Sequence, residues 1–255
     1  MYLLSLDAAA KTASVCVSEL DPETAALVPL AHTTVNGTLS HSETLLPMID
    51  FCLSGAGIPF DEIGAAIVTV GPGSFTGVRI GVATVKGLAF SKPELPCVGV
   101  SSLASLACNL SNYSAAYMRL ALMDARREQF YNAFFRADKH TGGKRVTDDA
   151  LLTFDEIVTR IRTDFAGKKI VVTGDGAALF YRLYAALEEQ PASITLCDQA
   201  HRYPDAFSAA LAALPLLTGD VRRHPENYTC ERLSPLYLRA SQAERERNQK
   251  LAIEP

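Results

Sequence analysis

The apolar positions of the chain follow two different periods in its first hundred residues. Short apolar runs bounded by turn-forming residues indicate strands, and apolar positions three or four apart indicate helices. The predicted elements are, in chain order, strands at 2–6, 13–20 and 31–35, a helix at 42–53, a strand at 64–70, a helix at 76–90, a strand at 97–100 and a helix at 101–108. Three strands therefore precede the first helix.

This order is not the strict strand–helix alternation of a doubly wound parallel sheet. It matches one half of an actin-like or hexokinase-like ATPase fold, an α/β architecture of two lobes with mixed sheets flanked by helices. The remaining predicted elements are strands at 118–124, 129–136, 169–173 and 236–238 and helices at 154–165, 177–189 and 203–217. We therefore predict a second lobe built from strands and helices.

The two predicted lobes divide the chain near residue 106. Residues 1–106 form the first lobe and residues 107–239 the second, and the helix at 203–217 is a candidate to pack back on the first lobe. Residues 240–255 are charged and poor in apolar side chains. This tail is expected to be a frayed helix or a disordered segment.

Composition and charge narrow the classes of function. Hydrophobic residues make up 48% of the 255 residues and charged residues 20%, which is typical of a folded protein with a sizeable core. A net charge of −4, with basic residues scattered, argues against strong binding of a polyphosphate by the chain alone. The sequence shows neither a signal peptide nor an apolar run of about 20 residues, which predicts a cytoplasmic protein that does not enter membranes.

The histidines and cysteines show no spacing that predicts a metal site. The five histidines contain no H-x-x-x-H pair, and the six cysteines contain no C-x-x-C pair. His41 lies beside Ser42 and Glu43, but neighbours in a helix do not face one another, so a capping role is favoured over a catalytic one. A G-x-S-x-G nucleophile elbow is also missing. The sequence therefore predicts no metal, no cofactor and no catalytic residue.

A cluster of glycines lies between the predicted strand at 64–70 and the helix at 76–90. Residues 71–81 read Gly-Pro-Gly-Ser-Phe-Thr-Gly-Val-Arg-Ile-Gly. One interpretation is a phosphate cradle at a helix N-terminus, although the Gly-Lys-Ser/Thr ending of a Walker A loop is absent. The alternative, which we favour, is that small residues allow a tight turn and close helix packing.

A remnant of a nucleotide site would include the acid that ends the first strand. Asp7, Gly73 and Ser74 are the candidate residues. In actin-like phosphotransferases such an acid helps to bind a metal-nucleotide, and hydroxyl or glycine residues after it contact phosphate. Here Ala8 and Ala9 follow Asp7 and offer no side-chain donors. Asp7 is therefore expected to cap a turn.

These motifs together resemble one family. The run at 71–89 looks like the hallmark of the TsaB family, also called YeaZ, and residues 41–49, 124–131, 174–177 and 235–239 resemble its other motifs. The resemblance extends to Arg239; the two alanines after Asp7 depart from the usual Thr-Ser. It implies an actin-like fold and a non-catalytic role in tRNA modification.

The resemblance also implies partners. TsaB-like proteins are similar in fold to TsaD, which transfers a threonylcarbamoyl group to N6 of the adenosine beside the anticodon, in tRNAs that read codons beginning with A. They bind and support TsaD, are joined by the ATPase TsaE, and reach tRNA only through that complex. A homodimer is the alternative assembly when TsaD is absent. A nucleotide-binding phosphotransferase or a glycoprotease-like peptidase of the same fold remains the alternative function.

The helices at 42–53 and 76–90 carry the predicted partner surface. Both are apolar on nearly all sides, whereas a surface helix needs only one apolar stripe to cover its own sheet. The second face is expected to be buried either under the second lobe or against helices of TsaD or another copy of the chain. The predicted interface residues are Leu45, Met48, Ile49, Cys52, Gly77, Gly81, Val82 and Val85.

Overall fold

Two β-sheets organise the computed structural model of the chain, which describes residues 1–37, 40–138 and 143–239. The strands are β1 (Tyr2–Asp7), β2 (Ala13–Leu20), β3 (Leu27–Val35), β4 (Ile63–Gly71), β5 (Cys97–Ser101), β6 (Met118–Asp124), β7 (Gln129–Arg136), β8 (Lys144–Arg145), β9 (Ala150–Thr153), β10 (Lys169–Thr173) and β11 (Ser193–Leu196). The α-helices are α1 (His41–Ala56), α2 (Phe75–Phe90), α3 (Ser102–Cys108), α4 (Phe154–Asp164), α5 (Ala177–Ala185), α6 (Ala206–Thr218) and α7 (Asp220–Arg223). Short 3-10 helices lie at Phe60–Glu62, Gln199–His201 and Pro225–Tyr228.

The two sheets repeat one topology. The first has the order β3-β2-β1-β4-β5, and the second has the order β11-β10-β6-β7-β8, with β9 paired to β7. In the first sheet β1 is antiparallel to β2 and parallel to β4. In the second, β6 is antiparallel to β7 and parallel to β10. Two mixed sheets flanked by helices form the actin-like α/β fold that the order of elements predicts, and this prediction is confirmed.

The first sheet is covered by helices on both faces. Leu4 and Leu6 of β1 belong to a core shared with α1 and α2. Leu3, which points to the other face, packs with Ala209 and Ala213 of α6. Because successive side chains of a strand point to opposite faces, a strand covered on both sides is apolar throughout. The largely apolar run of β1, interrupted by the buried Ser5, follows from this arrangement.

Helix α3 connects the two sheets. Leu103 and Leu106 pack in the same core as Met123 of β6 and Phe135 of β7. The two sheets are therefore joined by buried apolar contacts as well as by the chain itself. Residue 106, the boundary expected from the sequence, lies within this helix.

Several predicted elements differ in their bounds or nature: β3 begins at Leu27 rather than at 31, and α1 extends from His41 to Ala56. The strand predicted at 236–238 is wrong, because Leu236 makes a single backbone bond, donating to Val70 O at 2.7 Å, and no ladder follows. The helix predicted from 203 begins at Ala206, since Asp205 caps it by accepting from Ser208 N at 2.9 Å. The helix predicted to reach residue 189 ends at Ala185.

Two expectations concern the tail and the membrane. The predicted tail at 240–255 falls outside the described residues. Among the helices of the described part, none combines the length and the apolar character that a bilayer span requires.

Candidate functional site

The turn between β1 and β2 is held by Asp7. The Oδ1 atom of Asp7 accepts a hydrogen bond from Ala9 N at 3.0 Å, so this carboxyl caps the turn. Asp7 is fully buried, and no partner for its Oδ2 atom exists among the described residues, although Thr69 lies beside it. Burial raises the pKa of Asp7 to about 7, and the bond from Ala9 N opposes this rise only in part.

The glycine-rich loop before α2 packs directly on this turn. Ser74 N donates to Ala9 O at 2.7 Å, and Ser74 Oγ caps α2 by accepting from Gly77 N at 3.2 Å. A Cβ atom on Gly77 would overlap the Ala8 carbonyl oxygen. A backbone amide that could face a phosphate is thus bonded to a carbonyl of the same chain. The arrangement matches the close-packing interpretation of residues 71–81.

His41 ties the first helix to the same turn. Its Nε2 atom lies 2.9 Å from Ala10 O, and it must donate because a carbonyl oxygen only accepts. Ser40, rather than His41, occupies the N-cap of α1, and Glu43 accepts a bond from Ser40 N at 2.9 Å. The capping role expected for His41 is therefore wrong: its side chain positions the β1–β2 turn.

A cleft of about 630 Å³ opens between this turn and the second sheet. Its charged lining consists of Lys11, Arg126, Asp124 and Asp175, together with His41. Asp175 Oδ1 accepts from Asp124 N at 3.0 Å, and Asp124 Oδ1 accepts from Arg126 N at 2.7 Å. Burial raises the pKa of Asp175. Both carboxylates therefore hold the hairpin between β6 and β7.

That hairpin has an unusual backbone. Arg126, Arg127 and Glu128 have φ angles of 65°, 54° and 59°, so three consecutive non-glycine residues are left-handed. Such a residue costs roughly 1–2 kcal/mol, which the surrounding bonds must offset. All three side chains are exposed, and Arg126 lines the cleft. The sequence contains no glycine or asparagine here that could have signalled this conformation.

A serine, a histidine and an aspartate lie close together outside the cleft, and their geometry tests the peptidase alternative. Ser14 Oγ lies 3.0 Å from His32 Nε2, and Asp205 Oδ1 lies 3.9 Å from the same nitrogen. A catalytic triad needs the acid on the other ring nitrogen. Ser14 is also fully buried, and its Oγ accepts from Ala206 N at 3.0 Å. This cluster joins β2, β3 and α6 rather than presenting a nucleophile.

The cysteines lie mostly in the core. Five of the six are buried, and Cys230 is partly exposed. Burial raises the pKa of the Cys16, Cys97 and Cys108 thiols to about 12, so these side chains stay protonated at neutral pH. Within the described ranges, no three His, Cys, Asp or Glu residues are grouped so that they could hold a metal ion.

The orientation predicted for the two partner helices is wrong. The predicted interface residues lie in the core of the chain itself: Leu45, Met48, Ile49, Cys52, Gly77, Gly81, Val82 and Val85. Leu45 is 1% exposed and Val85 0%. These residues pack toward the first sheet, and Leu45 also forms part of the floor of a groove between the two helices. Because both helices are apolar on nearly all sides, their sequence did not fix which face points inward.

The outward faces of α1 and α2 are nevertheless apolar. Between them lies a groove of about 570 Å³. It is lined by Ser42, Leu45, Leu46, Ile80, Ala83, Thr84, Gly87 and Leu88. Leu46 is 53% exposed, and Phe90, the last residue of α2, is 86% exposed. Large apolar side chains grouped on a surface mark interaction sites. We refer to this surface as the α1–α2 groove.

Comparison with known proteins identifies the class. A model of the family TsaD, tRNA N6-adenosine threonylcarbamoyltransferase, matches residues 36–247. The actin-like chain therefore belongs to this family of tRNA N6-adenosine threonylcarbamoyltransferases and their relatives. Within it the chain is a member of the TsaB (YeaZ) group, as similarities to individual proteins show.

The relatives in question carry the TsaB name. The protein "tRNA threonylcarbamoyladenosine biosynthesis protein TsaB" of Escherichia coli is 39% identical over 100 residues, which cover 39% of this chain and 43% of the relative. The Haemophilus influenzae protein of that name is 33% identical over 131 residues, covering 51% and 52%. The chain thus spans about half the length of the curated relatives it matches. YeaZ from Pseudomonas aeruginosa superposes with a TM-score of 0.71 at 25% identity, covering 93% of this chain and 99% of that structure.

Proposed function

We propose that this chain is a non-catalytic partner of TsaD in the cytoplasmic synthesis of threonylcarbamoyladenosine on tRNA. The α1–α2 groove carries the proposal, because it offers a continuous apolar surface to a partner of the same family. The proposed product bears the threonylcarbamoyl group on N6 of the adenosine beside the anticodon, in tRNAs that read codons beginning with A. The chain supports the transferase and does not perform the transfer.

The cleft supports a non-catalytic role. The backbone N–H of Ser74 already donates to the carbonyl oxygen of Ala9, and the Asp7 carboxyl accepts a hydrogen bond from Ala9 N in the β1–β2 turn. A phosphotransferase would need these groups for a nucleotide. The Ser14–His32–Asp205 geometry likewise disfavours the peptidase alternative. We therefore assign Asp7, Gly73 and Ser74 a structural role at a remnant of the nucleotide cleft.

The α1–α2 groove fits a pair of helices from TsaD. Ile80, Ala83 and Gly87 lie along one side of α2 at spacings of three and four residues, so they form one stripe. Small residues in this stripe allow a partner helix to approach closely. The ATPase TsaE joins the proposed heterodimer, and tRNA is reached through the assembled complex. Without TsaD, the same groove would pair with a second copy of the chain.

A single charge in the groove tests this assignment. Ala83→Glu places a carboxylate on an exposed position of α2, so the free chain is expected to fold normally. On association the charge would be buried without a partner, which is strongly unfavourable. We expect the affinity for TsaD to fall at least a hundredfold and reconstituted tRNA modification to be lost. Affinity is measured by calorimetry, and modification is measured with TsaD, TsaE and the adenylate-forming enzyme.

The control is the same substitution on the second lobe. Ala185→Glu also lies on an exposed helical position, at the end of α5, and should leave both readouts unchanged. Val85→Glu is unsuitable, because Val85 is buried and the variant would test folding instead. Unchanged affinity of a folded Ala83→Glu chain for TsaD would place the interface elsewhere. Sedimentation of both variants without TsaD would show whether the groove also forms a homodimer.

Binding of tRNA by the chain alone is expected to be weak. The net charge is −4, and affinity for nucleic acid depends mainly on cationic contacts with phosphates. In a gel-shift titration at physiological salt, we expect half-saturation only above about 10 µM, in the range of non-specific binding. Nanomolar binding by the isolated chain would show that it contacts tRNA directly.

A further inference from the structure

The C-terminal motif Pro-Leu-Tyr-Leu-Arg, residues 235–239, lies across the two lobes. The chain enters this segment from Leu233, which is buried in the core of the first lobe. The residues after it are on the surface: Leu236 is 43% and Tyr237 42% exposed. The proposed partner function leaves this segment without a role. We refer to residues 235–239 as the latch.

One end of the latch is seated at the end of β4. Leu236 N donates to Val70 O at 2.7 Å. Gly71 has a φ angle of 115°, and a Cβ atom there would lie 2.6 Å from Leu236 O. Only glycine adopts this conformation readily and also admits the latch backbone. The glycine-rich loop is therefore shaped to receive the C-terminal segment as well as the β1–β2 turn.

An aromatic and cationic cluster holds the middle of the latch on α2. The rings of Tyr237 and Phe75 have centroids 4.9 Å apart. Arg79 lies over the Phe75 ring, with its guanidinium carbon 3.7 Å from the centroid, and its Nε donates to Tyr237 OH at 2.7 Å. Phe75 and Arg79 are four residues apart and so occupy the same face of α2.

The far end of the latch reaches the second lobe. Arg239 Nη1 donates to Ala125 O at 2.9 Å. Ala125 lines the cleft and immediately precedes the left-handed residues Arg126 to Glu128. Gly73 and Ser74 follow Gly71, the residue that contacts the first end of the latch, and they also line the cleft. The latch therefore bridges two rims of the same cleft.

We propose that residues 235–239 act as a releasable latch that sets the opening of the interlobe cleft. Helix α3 joins the lobes through buried apolar contacts, whereas the latch, held on the first lobe by surface hydrogen bonds and one tilted ring contact, reaches the second lobe through the bond from Arg239 to Ala125 O. Contacts of this kind open more readily than a core does. Release of Arg239 would remove the contact of the latch with the left-handed turn, which Asp124 and Asp175 would then hold alone, and would let the lobes separate about α3.

Arg239→Ala tests the latch without disturbing the core. Losing one charged donor is expected to raise amide exchange in residues 124–129 about tenfold, measured by hydrogen–deuterium exchange. The matched control is Arg232→Ala, because Arg232 donates to Asn227 Oδ1 at 2.9 Å within the C-terminal segment. Exchange in the control is expected to equal that of the parent chain.

Lobe movement is measured by the distance between spin labels. Asp50→Cys on α1 and Asp155→Cys on α4 place one exposed label on each lobe, in a chain whose partly exposed Cys230 is replaced by serine. We expect one narrow distance distribution in the parent and in Arg232→Ala, and a longer component enriched about tenfold in Arg239→Ala. If Arg239→Ala matches Arg232→Ala in either measurement, the segment does not act as a latch.

Discussion

Replacing Gly77 with alanine is expected to lower the free energy of unfolding by about 3 kcal/mol. The added Cβ would overlap the carbonyl oxygen of Ala8, which is backbone and cannot rotate away. Either α2 or the β1–β2 turn must move, and the bond from Ser74 N to Ala9 O would lengthen. The loss is large because this contact sets the spacing between α2 and the first sheet. Chemical denaturation measures it directly.

The same helix provides the opposite control. A Cβ on Gly87 would meet nothing within 4 Å, so Gly87→Ala introduces no clash. Alanine favours the helix over glycine by about 1 kcal/mol, and this variant is expected to be more stable than the parent. Two Gly→Ala changes in one helix should thus have opposite signs. Equal effects would mean that the contact of Gly77 with Ala8 does not determine stability.

Replacing Asp7 with asparagine is expected to stabilise the chain at pH 8 and to remove part of its pH dependence. Burial raises the pKa of Asp7 from 3.8 to about 7 in the folded state. Between these values the folded state binds the proton and the unfolded state does not, so stability falls as pH rises from about 4 to about 7. Above about pH 7 the Asp7 carboxyl is ionised in both states, so the stability falls no further.

The size of the expected change in stability follows from the shift in the pKa of Asp7. An asparagine side chain at this position has no charge to desolvate, and its oxygen can still accept from Ala9 N. The stability of Asp7→Asn relative to the parent should therefore rise by roughly 2.5 kcal/mol between about pH 5 and pH 8. Unfolding curves at several pH values measure this, with the exposed Asp148→Asn as a charge-matched control. A relative stability that stays constant with pH would show that Asp7 is ionised throughout.

The order of strands and helices along the chain was predictable because each central strand carries its own signal. A largely apolar run covered on both faces, such as Leu3 to Leu6 with Ser5 inside it, indicates a strand without tertiary information. The glycine-rich loop was also predictable, since its small residues indicate close packing. Short strands such as β8 and β11 were missed because they have only two and four residues and are at most half-buried.

Other features depend on tertiary contacts that no local pattern encodes. The rotation of α1 could not be fixed, because Leu45 and Leu46 are equally apolar and only packing decides which faces the sheet. The left-handed residues from Arg126 to Glu128 carry no turn signature. They are held by Asp124 and Asp175, which lies about fifty residues further along the chain.

The position of α6 constrains how the chain folds during synthesis. One face of the first sheet, including Leu3 and Ile67, is covered by Ala213 and Leu217 of α6. That helix lies after all the strands of the second sheet. A growing chain therefore keeps an apolar sheet face exposed until about residue 218 has left the ribosome. The N-terminal lobe cannot be completed first, and the emerging polypeptide presents a binding surface to chaperones for most of its translation.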